Sequence, residues 1–102
     1  MRLAVIYERE MLKNVMERVK EILTDKVINR AWVHKASTGQ YEFHLNTTPR
    51  FPNGLYWCGH AASKYGGRAL GWEFVLREVE RQEANLPLAS DKPDLEDEQD
   101  KE

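Results

Sequence analysis

Cys58 and His60 stand two residues apart in "YWCGH", a spacing that on a strand turns both side chains to one face. With His34 and His44 they offer one thiolate and three imidazoles, the donors of a tetrahedral zinc site. The paired cysteines or paired histidines that usually mark such sites are missing. A buried free cysteine and three surface or hydrogen-bonded histidines account for the same residues, so no metal or other cofactor is expected.

The other chemically suggestive stretch is "SKYGGRALG", with Gly66, Gly67 and Gly71. A phosphate-cradling loop sets such glycines between a strand and a helix and follows them with lysine and a hydroxyl. Nothing like Gly-Lys-Ser follows here. Each glycine inside a helix costs about 1 kcal/mol relative to alanine. Three of them in so short a stretch point to a helix lying close on a sheet, or beginning near Gly67.

Charge is distributed unevenly along the 102 residues. Residues 26–68 carry six basic side chains against Glu42 alone, and residues 69–102 carry four against eleven acidic ones. A net charge of −2 therefore conceals a basic centre and an acidic end. Cations interleaved with aromatic rings suit a nucleic-acid surface, where cations neutralise phosphates and rings stack on bases. Lys35, Arg50, Lys64 and Arg68 are the expected phosphate contacts. Phe51, in a proline-flanked loop beside Arg50, is the expected stacking ring. A solvated basic face without a ligand fits the same composition. No apolar run approaches the roughly 20 residues that span a bilayer, and "LAVIY" is too short for a secretory core. One cysteine cannot form an internal disulfide, which fits a reducing cytosol; a cytoplasmic location is expected.

These residues need elements to hold them. "LAVIY" reads as a short strand. In "EREMLKNVMERVKEIL" the apolar residues Met11, Leu12, Val15, Met16, Val19, Ile22 and Leu23 recur at three- and four-residue steps, the stripe of an amphipathic helix. "VINRAWVHK" looks extended. "YEFHLN" alternates, with Tyr41, Phe43 and Leu45 facing a core and Glu42 and His44 facing away. "TTPRFPNG" is a loop and "LYWC" a third extended segment, on which Tyr56 and Trp57 point opposite ways. From Ala61 onward Tyr65, Ala69, Trp72, Leu76 and Val79 define a second helix. Residues 1–84 are thus expected to form a single α+β domain. It has a three- or four-stranded, mainly antiparallel sheet against two helices, ordered β-α-β-β-β-α, or α-β-β-β-α if the leading strand is peripheral. Residues 85–102, acidic and proline-containing, are expected to be a disordered tail.

Helix, three strands and a helix opened by "SKYGGRA" resemble a double-stranded-RNA-binding domain. The resemblance implies that Ser63, Lys64 and Arg68 contact phosphates across a groove; the family's second lysine is Tyr65 here. "GQY" at 39–41, "GLYWCG" at 54–59 and Arg68 look like a GIY-YIG nuclease, which would assign catalysis to Tyr41, Tyr56 and Arg68. The metal-binding glutamate of that resemblance would have to come from the tail.

The functional expectation is a small non-enzymatic accessory protein binding nucleic acid through its basic centre. The alternative is a protein-binding modulator or inhibitor of a larger host enzyme, in the style of phage or mobile-element products, with an exposed apolar patch around Trp57 or Phe51. A small metal-dependent nuclease stands behind both. No membrane partner is expected, and the oligomeric state is left open.

Overall fold

The computed structural model describes residues 3–23 and 31–84. Helix α1 spans Leu3–Ile22, strands β1, β2 and β3 span Ala31–Lys35, Tyr41–Leu45 and Leu55–Gly59, and helix α2 spans Lys64–Glu83. The order is α-β-β-β-α, the second of the two expected. It is also the order that the RNA-binding resemblance implies for the fold.

"LAVIY", read as a strand, is instead the opening of α1. A strand there needs a sheet edge to satisfy its backbone, whereas extending a helix already nucleated adds one bond per residue fixed. Leu3, Ile6 and Tyr7 consequently remain exposed. The first half of "VINRAWVHK" and the acidic tail lie outside the described residues. Among those described, no helix is long and apolar enough to cross a membrane.

The sheet is fully antiparallel, in the order β1-β2-β3. A tight connection sets its first register. Ala36 N–H donates to Gln40 O, Gly39 N–H donates to Ala36 O, and Gly39 takes φ +93°, a conformation that favours glycine. Trp32 then faces His44, and His34 faces Glu42. In the second pair Glu42 faces Cys58 and His44 faces Tyr56.

Helix α2 packs on all three strands and α1 packs on α2. Glu8 meets Ala62 and Ser63 while Arg18 meets Glu73, so the two helices run parallel. Val15 and Val19 of α1, with Leu23 just past its end, join Phe43, Leu45, Phe51, Leu55, Trp72, Val75 and Val79 in one apolar core. Phe43 sits at its centre, fully buried, with its ring edge-on to Trp72 at 5.4 Å.

The glycines explain the close fit. A Cβ on Gly67 would stand 3.0 Å from both Tyr41 Cβ and Val33 Cγ2, and one on Gly71 would overlap the Phe43 ring. Gly66 has a different neighbour: a Cβ there would overlap the Glu8 carboxylate. The helix begins at Lys64, earlier than Gly67, because Ser63 caps it by accepting from Gly66 N–H.

Candidate metal centre

Alternation along the strands sends Ala31, Val33, Tyr41, Phe43, Leu45, Leu55 and Trp57 toward the helices. Trp32, His34, Glu42, His44, Tyr56 and Cys58 go to the opposite face. Among the described residues no element covers that face. Register arranges its side chains in two rows across the sheet, Trp32-His44-Tyr56 and His34-Glu42-Cys58.

Glu42 is the centre of this array. Its Oε1 lies 3.0 Å from His34 Nε2 and 3.3 Å from His44 Nε2. The three donor atoms all fall within 4.8 Å of one another. The cluster is half-buried at Glu42 and His44 and exposed at His34. Ring packing orients the histidines. The His44 ring lies parallel to those of Trp32 and His34, at 5.1 and 5.5 Å with 9° between planes in each case. The edge-to-face contact of His44 with Tyr56 is 4.9 Å. An imidazole so enclosed has few rotamers left, and its Nε2 stays aimed at Glu42.

Tyr56 and Cys58 complete the surroundings. The Tyr56 phenol is pushed up to about 12, first by its hydrogen bond with Cys58 and also by desolvation and the Glu42 carboxylate. At neutral pH it remains a protonated donor. Cys58 is not buried as expected: on the open face it is an exposed free thiol whose S–H donates to Gln40 Oε1 at 3.5 Å. Trp32, His44 and Tyr56 also line a concavity of about 460 Å³, shared with Asn46, Asn53 and Leu55.

The donor set differs from the Cys58, His60, His34 and His44 combination that the sequence offered. His34 and His44 come together and Cys58 shares their face, but exposed His60 lies beyond the end of β3, outside the cluster. The unanticipated member is Glu42. The nuclease-like set is not assembled either. Tyr41 is buried beneath α2, Tyr56 lies on the opposite face, and Arg68 is on the helix. Among the described residues, the carboxylate beside Tyr56 is Glu42.

The expected nucleic-acid contacts divide between two ends of the molecule. Lys64 and Arg68 stand one turn apart at the start of α2, and the Lys35 ammonium lies 5.7 Å from the Tyr41 ring at that same end. Arg50 is at the far end, paired with Glu83 at 3.6 Å, and its carbonyl accepts from the Gln82 side chain. Phe51 is a correction: it is 4% exposed and belongs to the core. Its N–H donates to the buried Thr48 Oγ1, while Gly54 N–H donates to its carbonyl, and these bonds fold the loop so that the ring turns inward. The apolar patch anticipated around Trp57 or Phe51 is correspondingly half-buried or buried.

No family model, curated protein or solved structure matches the chain.

Proposed function

We propose that this protein binds a divalent transition-metal ion on the open face of its sheet, with His34, Glu42 and His44 as ligands. The reading is carried by two imidazole nitrogens converging on one carboxylate oxygen. Zinc bonds of about 2.0–2.2 Å to nitrogen and oxygen place neighbouring ligand atoms of a tetrahedral site about 3.3–3.6 Å apart. The separations of 3.0 and 3.3 Å, with all three donor atoms within 4.8 Å of one another, bring the set within a small side-chain adjustment of holding a single ion. Two imidazoles and a carboxylate suit Zn²⁺ and its first-row neighbours better than Mg²⁺ or Ca²⁺, which favour all-oxygen sites. Three protein ligands leave at least one position for water or an exogenous donor, the arrangement of a reactive rather than a closed structural site.

Calorimetric titration of the full chain with Zn²⁺, and with Co²⁺ as a spectroscopic probe, tests the proposal. One ion per chain is expected, with affinity reduced at least about tenfold in His44→Ala and Glu42→Gln. Equal binding by the wild type and both variants, or no binding by the wild type, overturns it.

A further inference from the structure

Beyond the metal centre, we infer that the groove between the edge strand β1 and the start of α2 binds a nucleotide of a single-stranded nucleic acid. The base would stack on Tyr65, and the phosphate would be held by Lys64 and Arg68. The groove has a volume of about 640 Å³, within the range of sites that enclose a small ligand. Tyr65, 42% exposed, lines it together with Val33, Ser63, Lys64 and Arg68, and Trp32 borders it from the edge strand. The Tyr65 ring is held in place, with the Arg9 guanidinium 5.3 Å from its centroid. A fixed ring loses less freedom when a base stacks on it.

The charges complement the ring. Lys64 and Arg68 form an i, i+4 pair on one face of α2, and among the described residues neither makes an ion pair. Lys35 adds a third cation beside Tyr41, which also lines the groove.

The helix N-terminus itself is not what would hold the phosphate. Glu8 Oε2 accepts from Ala62 N–H at 2.9 Å and its Oε1 accepts from Ser63 Oγ–H at 2.6 Å. A carboxylate of this chain therefore already occupies that electropositive end, and the ligand's anion is left to the side chains of Lys64 and Arg68. Exposed ring faces select an unpaired base, because a duplex keeps its base faces stacked inside.

The test is anisotropy of a labelled eight-nucleotide single strand with the full chain, in chelator so that the outcome is independent of the metal centre. Binding is expected to weaken about tenfold between about 50 and 200 mM salt, as suits two or three neutralised phosphates. It should fall at least about tenfold in the double variant Lys64→Gln, Arg68→Gln and severalfold in Tyr65→Leu. Both changes are on exposed positions of α2, so circular dichroism should be unchanged. Competition by adenosine monophosphate as strong as by the strand would identify the free nucleotide as the source of the same ligand chemistry. The inference is overturned by no binding, by equal affinity for the matching duplex, by competition from inorganic phosphate alone, or by indifference to the Lys64 and Arg68 changes.

Discussion

Glu42 is the only acidic side chain in the basic centre of the chain, and it lies between two imidazoles rather than beside a lysine or arginine. Its position in the alternating "YEFHL" run showed that it faces away from the core together with His44. Nothing local showed that His34 joins them, because that depends on which residue of β1 faces which residue of β2. Glu42→Gln preserves shape and removes charge. In a half-exposed position the substitution should change metal-free stability by less than about 1 kcal/mol. Zinc at a hundredfold excess over its dissociation constant should stabilise the wild type by about 2.7 kcal/mol, and that gain should largely disappear in the variant. Thermal unfolding with and without zinc measures both quantities.

Helix α2 is positioned by what its glycines omit. Phe43 is fully buried beneath Trp72 and cannot yield, so Gly71→Ala should destabilise the fold by about 1–3 kcal/mol despite the better helix propensity of alanine. Gly66→Ala meets only the end of the Glu8 side chain, which can swing aside, so its cost should be clearly smaller. Urea unfolding of the two variants side by side checks the order. Glu8→Ala removes the acceptor of Ala62 N–H and Ser63 Oγ–H and should cost about 1 kcal/mol, with Glu8→Gln recovering part of it. The close approach itself was legible from three glycines so near one another on an otherwise apolar helix face. The cap was not, because Glu8 and Ser63 are 55 residues apart and meet only when the helices lie parallel.

The whole molecule is a one-sided sandwich, with core on the helix side of the sheet and chemistry on the other. Phe43 links Trp72 of α2 to the strand that carries Glu42 and His44. Phe43→Ala should cost about 3–5 kcal/mol, a large share of the about 5–15 kcal/mol total of a small domain. Metal affinity should then fall with the folded fraction, whereas His34→Ala should lose metal while unfolding at nearly the wild-type denaturant concentration. Chemical denaturation monitored alongside zinc titration separates the two cases.

Periodicity alone determined that α1 and α2 are helices, that β2 buries Tyr41, Phe43 and Leu45, and that the class is α+β, because side chains three or four apart, or two apart, must share a face whatever the rest of the chain does. It misread "LAVIY", where the competing element is the helix already formed downstream, and Phe51, where a polar, proline-containing setting outweighed the bonds to Thr48 and Gly54 that turn the ring inward. Only the tertiary structure decided which outward-facing residues become neighbours. The connection between Lys35 and Tyr41 sets the register that brings His34 and His44 to Glu42, and a shift of one residue would send every one of these side chains to the opposite face. Long-range pairing depends on how the whole chain closes, so no short stretch of sequence could have displayed the site.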